Sequence, residues 1–171
     1  MKKILFTLII MCLPAMVWAA QSKAVIKGTA PDSKISGEVL FNEKKGGLLM
    51  TANISNVPPG KHGFHIHEIG SCEDSGKAAG GHFNPDKAKH GFIPMDGLMN
   101  SHAGDMGNII VNKHGKGRLK IFLPGLTLKE GKHAVIGKSI ILHEKTDDFG
   151  QPTGNAGGRI GCGIIEAQES K

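Results

Sequence analysis

The chain has 171 residues, which is the size of one domain, and its 25 glycines are spread along it with no repeat and no linker. The formal net charge is +6, but no block of lysine and arginine is interleaved with aromatic residues, so a nucleic-acid-binding protein is disfavoured. A mildly basic surface suits an anionic substrate or an acidic partner, and solubility alone would explain it equally well.

The first nineteen residues have the features of a secretory signal peptide. Lys2 and Lys3 form a basic start, residues 4–18 are mostly apolar, and Val17-Trp18-Ala19 puts small or medium residues at the positions that a signal peptidase reads. The apolar run is too short to span a bilayer comfortably. We therefore expect residues 1–19 to be removed. Residues 20–171 would then form one periplasmic or secreted domain with no membrane attachment.

Short alternating or apolar runs, separated by glycine and proline turns, predict an all-β fold. No segment carries a long apolar stripe at the helical period. Eight such runs favour an antiparallel sandwich or a flattened barrel. They lie at residues 24–28, 35–42, 48–54, 62–67, 107–112, 118–122, 139–143 and 160–165.

Two long stretches, residues 68–106 and 144–158, do not fit strands. Loops of this length in a compact domain are often functional, and the entropy lost on ordering them must be offset. Cys72 lies in the first loop, and Cys162 is its remaining partner once Cys12 leaves with the signal peptide. An even cysteine count in an exported chain predicts a disulfide, the alternative being two free thiols.

All nine histidines lie beyond residue 19. His65 and His67 lie on a predicted strand, whose period of two puts both imidazoles on one face, although such a pair alone is a weak signal. His143 ends another predicted strand and is a candidate to join them. Solvated loop histidines are the alternative. The first loop adds a set that suits tetrahedral Zn²⁺ within 24 residues, namely His82, His90, His102 and Asp105.

Five segments closely resemble the copper,zinc superoxide dismutase family, in the order in which that family has them. They are GKHGFHIHE at 60–68, GHFNP at 81–85 with His90 following, HAGDMGN at 102–108, HEKTDD at 143–148 and GNAGGRIGCG at 154–163. The resemblance covers nearly all of the predicted mature chain. It implies an eight-stranded antiparallel Greek-key β-barrel or sandwich with two long functional loops.

The resemblance also implies two metal ions and their ligands. One copper ion per chain would be held by His65, His67, His82 and His143. One zinc ion per chain would be held by His82, His90, His102 and Asp105. The activity implied is dismutation of superoxide to dioxygen and hydrogen peroxide by copper redox cycling, an antioxidant defence outside the cytoplasm. His82 would be shared by the two ions as an imidazolate and would deliver a proton.

Two further residues acquire roles from the same resemblance. Asp147 would accept hydrogen bonds from the free ring nitrogens of His65 and His90, which links the two metal sites. Arg159 would face the copper and bind the superoxide anion. The disulfide between the two cysteines would tie the first loop to the last strand, beside Arg159.

The chain departs from the family pattern in both loops. The second loop is shorter than in many eukaryotic members, and Gln151-Pro152 stands where charged residues are often found. The segment between His90 and His102 is longer than in the common eukaryotic forms, which leaves a homodimer and its contacts open. The main alternative is a non-catalytic exported copper- and zinc-binding protein on the same fold. Arg159 argues against it, because metal storage requires no anion site.

Overall fold

The computed structural model describes residues 21–168, so the predicted signal peptide lies outside the described residues. Two short helical segments, a 3₁₀ helix at Asp74–Ala79 and α1 at Ile93–Asp96, interrupt the first long loop. Within residues 21–168, no helix is long and apolar enough to cross a membrane. Each predicted strand overlaps an observed one: β1 Gln21–Gly28, β2 Ser36–Lys44, β3 Gly47–Ser55, β4 Gly60–His67, β5 Asp105–Val111, β6 Gly117–Pro124, β7 Ser139–His143 and β8 Arg159–Ala167.

The strands close into one antiparallel barrel in the order β1-β2-β3-β6-β5-β4-β7-β8, with β8 paired to β1. The chain crosses over between sheet neighbours at β3–β6 and β4–β7, as in a Greek key. Closure removes the free strand edges that a two-sheet sandwich would leave. The predicted all-β fold is therefore confirmed, in its barrel form.

The barrel core comes from alternate residues of the strands. In β1, Ala24 and Ile26 are buried while Val25 between them is half exposed. This alternation is the period-two pattern that places every second side chain inside. It is lost in β7, where all five residues are buried, because the two long loops cover its outer face as well. The loops therefore enclose one side of the barrel.

The first long loop is fixed to the barrel through the backbone of Ile66 in β4. The Ile66 N–H donates to the Gly104 carbonyl at 3.0 Å, and the Phe83 N–H donates to the Ile66 carbonyl at 2.9 Å. Only glycine fits at position 104, because a Cβ atom there would lie 2.1 Å from the backbone oxygen of Ile66. The middle and the C-terminal end of the loop are thus held against β4.

A disulfide joins Cys72 to Cys162, with the two Cα atoms 5.7 Å apart. This confirms the pairing expected from the cysteine count. The bond connects the first long loop to β8, and its sulfurs pack in a small apolar cluster with Ala79 and Ile141. It therefore fixes the part of the loop that carries the 3₁₀ helix.

We predict that replacing both cysteines by alanine lowers the free energy of unfolding of the metal-free protein. The bond closes a loop across a sequence separation of 90 residues, for which the chain-entropy model gives about 4–5 kcal/mol. Urea denaturation measures the loss. As a control, a reductant should bring the parent protein to the stability of the variant, and a loss below about 1 kcal/mol would contradict the assignment.

Candidate metal centre

His65 and His67 lie on the outer face of β4 and alternate with the core residues Phe64 and Ile66, which point inward. Both histidine side chains are nonetheless buried, at 0% and 1% exposure, because the loops cover this face. The strand period thus brings the two rings to one side of the barrel wall. They form the floor of a histidine cluster.

His143 reaches this cluster because β7 is the sheet neighbour of β4. The ladder pairs Leu142 with Phe64, and both side chains face the core, so the next residue, His143, faces outward on the same side of the sheet as His65. Its Nε2 is 3.3 Å from Nε2 of His67, and its ring centroid is 5.0 Å from that of His65. Two histidines from one strand and one from the next therefore share a single face.

The docked loop adds His82 to the same cluster. An isolated β-bridge pairs His82 with His67, and the His82 ring centroid lies 4.2 Å from that of His65. On its other side, the same ring is 5.4 Å from that of His102. His82 therefore lies between the barrel histidines and the histidines of the loop.

The side chains form two sets of four whose ligand atoms lie within 4.8 Å of one another, with His82 common to both. Nδ1 of His82 is 2.8 Å from Oδ1 of Asp105, which leaves Nε2 at the opposite corner of the ring for the other set. The first set is His65, His67, His82 and His143. The second set is His82, His90, His102 and Asp105.

Two ring nitrogens in these sets lack a hydrogen-bond partner although they are fully buried, namely Nδ1 of His65 and Nδ1 of His90. The His90 nitrogen lies 3.0 Å from Oδ1 of Asp105, but the pair is not aligned as a hydrogen bond. An unsatisfied buried polar atom costs about 1–3 kcal/mol. A cation within each set would satisfy both atoms. Four imidazoles suit copper, and three imidazoles with a carboxylate suit zinc, so the residues fit both ions.

The carboxylate of Asp147 links the two sets from behind. Its Oδ2 is 2.8 Å from Nε2 of His65, and its Oδ1 is 2.9 Å from Nε2 of His90. These are the ring nitrogens remote from the unpaired Nδ1 atoms. Asp147 therefore fixes the orientation of one ring in each set, which is the usual task of a residue behind metal ligands.

Two residues with no role predicted from the sequence support Asp147. Asn108 accepts from the Asp147 N–H at 2.7 Å and donates to the Asp147 carbonyl at 2.9 Å. Gly154 leaves room for the carboxylate, since a Cβ there would lie 1.8 Å from Oδ1 of Asp147 and 2.6 Å from Nε2 of His90. Both lie within segments that resemble the family, which is the signal that could have marked them.

Arg159 is held beside the first set by backbone carbonyls of the loop. Its Nη1 donates to the Gly76 carbonyl and its Nη2 to the Gly80 carbonyl, each at 2.6 Å. The same Gly80 oxygen is 2.9 Å from Nδ1 of His67, so the guanidinium and this ring meet at one carbonyl. The arrangement presents a fixed positive charge next to the histidine cluster.

Burial lowers the pKa values of three histidines of the first set. Removal from water, reinforced by the neighbouring histidines, lowers the pKa of His67 to about 2, that of His143 to about 3 and that of His82 to about 4. These rings are therefore neutral at neutral pH, and neutral imidazole is the form that binds a metal.

In the second set, neighbouring carboxylates outweigh the effect of burial on a histidine pKa. Burial alone would lower the pKa of His90, but Asp105 and Asp147 outweigh it and raise the pKa to about 9. Burial would raise the pKa of each carboxyl, but hydrogen bonds from histidines outweigh it. Bonds with His102 and His82 hold the pKa of Asp105 well below its usual range. Bonds with His65 and His90 do the same for the pKa of Asp147. Negative charge is thus concentrated around the second set.

We predict that the metal-free protein loses stability steeply as the pH falls below about 6.5. In the unfolded chain His67, His82 and His143 bind protons near pH 6.5, whereas in the folded chain they do so only near pH 2 to 4. Unfolding near pH 5 should take up about three protons. The lowered pKa values of Asp105 and Asp147 also make the folded state less stable as the pH falls below about 4. The raised pKa of His90 has the opposite effect: it stabilises the folded state at low pH, and this stabilisation is lost as the pH rises through about 9.

Urea denaturation between pH 7 and pH 4 measures this dependence. His143→Gln should reduce the proton uptake by about one. His114→Gln, at an exposed position, should leave the slope unchanged. Equal stability of the metal-free parent at pH 7 and pH 4.5 would contradict the prediction.

Three comparisons with known proteins bear on this site. The family model described as Copper/zinc superoxide dismutase (SODC) matches residues 35–165. Superoxide dismutase (Cu-Zn) 5 of Dictyostelium discoideum is 43% identical over 148 residues, which covers 82% of this chain and 93% of that protein. The extracellular superoxide dismutase (Cu-Zn) of Caenorhabditis elegans is 35% identical over 181 aligned positions, which covers 99% of this chain and 80% of that protein.

Among solved structures, the crystal structure of the clock protein EA4 has the same fold, with a TM-score of 0.78 at 34% identity. The match covers 88% of this chain and 96% of that one. The family model spans most of the chain, and both relatives align over most of their own length. These matches confirm the predicted type of enzyme and its copper and zinc cofactors. The chain belongs to the copper/zinc superoxide dismutase family.

Proposed function

We propose that this chain converts superoxide to dioxygen and hydrogen peroxide, with copper held by the first set of four residues and zinc by the second. The observation that carries the proposal is the shared ring of His82, whose Nδ1 faces Asp105 and whose other nitrogen is left for the barrel histidines. Bound copper would supply one-electron redox chemistry, which zinc cannot. The balanced reaction takes two superoxide ions and two protons to one dioxygen and one hydrogen peroxide.

The residues of the chain have separate tasks in this reaction. Nε2 of His82 is the atom that holds and releases a proton toward the first set, while Nδ1 stays with the second set. Solvent provides the other proton. Asp147 keeps the rings of His65 and His90 in a single orientation through its two hydrogen bonds. Zinc in the second set would order the first loop and stabilise the folded state.

Arg159 is proposed to bind the substrate anion. Its guanidinium is half buried, is oriented by the Gly76 and Gly80 carbonyls, and lies beside His67. Burial lowers the pKa of Arg159, but an arginine remains charged at neutral pH. A fixed cation at the opening of the copper site supports catalysis on an anion more than it supports metal storage.

The location is proposed to be outside the cytoplasm, in the periplasm or in a secreted form. The support is the signal-like segment at residues 1–19 and the extracellular relative from Caenorhabditis elegans. Residues 20–171 would then be the working domain, acting without nucleic acid or membrane. A homodimer stays a prediction.

We predict one copper and one zinc per chain, and loss of activity on removal of copper. Elemental analysis of the purified protein, paired with a superoxide-consumption assay before and after copper removal, tests both. His143→Ala should nearly abolish turnover, because one of the four imidazoles of the first set is missing. Activity retained without copper would refute the proposed chemistry, and bound metals without turnover would favour the storage alternative.

We predict that Arg159→Ala lowers kcat/KM by about tenfold or more and blunts inhibition by azide, because the fixed cation that attracts small anions is removed. The matched control is Arg118→Ala, which removes the same charge from an exposed position on β6. This control should change neither quantity by more than about twofold. An Arg159→Ala enzyme with the parent's rate and azide sensitivity would rule out the anion-binding role.

A further inference from the structure

Gln151 of the second loop makes a two-point contact with the backbone of His90. The His90 N–H donates to Oε1 of Gln151 at 3.0 Å, and Nε2 of Gln151 donates to the His90 carbonyl at 2.8 Å. The amide thus pairs with both backbone groups of one residue, as a neighbouring strand would. The side-chain amide of glutamine suits this pairing because its oxygen accepts and its nitrogen donates in one planar group.

His90 requires such support because it lies outside every helix and strand of the described chain. Its ring is fully buried between Asp105 on one side and Asp147 on the other. The next backbone N–H, that of Gly91, donates to Oδ2 of Asp105 at 2.8 Å. A shift of this backbone would therefore move two members of the second set, the His90 ring and the Asp105 carboxylate.

The same short segment of the second loop contacts His90 at two further points. Asp147 holds Nε2 of the ring, and the Phe149 ring lies nearly parallel to it, at 20° with centroids 6.3 Å apart. The carboxylate fixes where the ring points, and the aromatic ring limits its tilt. Neither contact restrains the backbone of His90 itself, whose N–H and carbonyl are both held by Gln151.

We propose that Gln151 is a positioning residue for zinc, whose side-chain amide fixes the backbone of His90 so that Nδ1 of the ring faces the second set. The inference rests on the proposed zinc site and adds a residue to it. Gln151 then couples the second loop to zinc binding by a route that does not pass through Asp147. Loss of a residue behind a metal ligand typically costs 10- to 100-fold in metal affinity.

Two substitutions separate the parts of this contact. Gln151→Met keeps about the same length but offers neither donor nor acceptor. Gln151→Glu keeps the shape and can still accept from the His90 N–H, but sets a carboxylate oxygen against the His90 carbonyl. Both should lower zinc affinity by about tenfold or more, measured by competition with a chromophoric chelator on the metal-free full chain. Both should also change the visible spectrum of Co²⁺ bound in place of zinc.

The matched control is Asn155→Gly in the same loop. It removes another side-chain amide, which donates to Asp148 and not to any member of either set, and its φ of 51° is favourable for glycine. This variant should retain the zinc affinity and Co²⁺ spectrum of the parent. The thermal midpoint of each metal-free variant reports whether it folds, and Gln151→Glu remains informative if Gln151→Met does not.

Zinc affinity within twofold of the parent in a folded Gln151 variant would overturn the inference. An equal loss in Asn155→Gly would overturn it too, because the effect would then belong to the loop as a whole. Failure of the proposed function has a different signature, since the parent itself would then bind no zinc or show no copper-dependent consumption of superoxide.

Discussion

The two backbone hydrogen bonds of Ile66 are the contact on which the rest of the site depends. Their partners are Phe83, near the middle of the first long loop, and Gly104, near its C-terminal end, which fixes the loop along β4. His82 immediately precedes Phe83 and Asp105 immediately follows Gly104, so the docking delivers a ring and a carboxylate to the strand that carries His65 and His67. A Cβ at position 104 would prevent this approach.

Burial of so many ionisable groups prepares the site to bind metal ions and lowers the stability of the metal-free protein. Rings that are neutral at physiological pH stand ready to bind a cation, but unpaired nitrogens such as Nδ1 of His65 weaken the metal-free fold. The closed barrel tolerates this cost because its apolar core is separate from the histidines and lies on the inner face of the same strands. Stability and chemistry are thus divided between the two faces of β4.

Two connections join the sets of ligands, and they differ in kind. The ring of His82 joins them directly, with one nitrogen for each set. The carboxylate of Asp147 joins them from behind, by hydrogen bonds to His65 and His90. A change at one set is therefore felt at the other through both a shared ligand and a shared orienting group. The second loop supplies Asp147, and its order in turn depends on contacts with the first loop.

The sequence alone determined the strands, the cysteine pair and the candidate ligands. Period-two alternation and glycine turns are local signals, and the histidine motifs are contiguous segments, so both are legible along the chain. The closure of the barrel and the neighbours of β4 were decided by the tertiary structure, because pairing between β4 and β7 joins distant segments. The same holds for Asn108 with Asp147 and Gln151 with His90, which are separated by 39 and 61 residues. A polar side chain that acts by meeting a backbone so far away leaves no periodic pattern, and only the folded chain brings its donor and acceptor together.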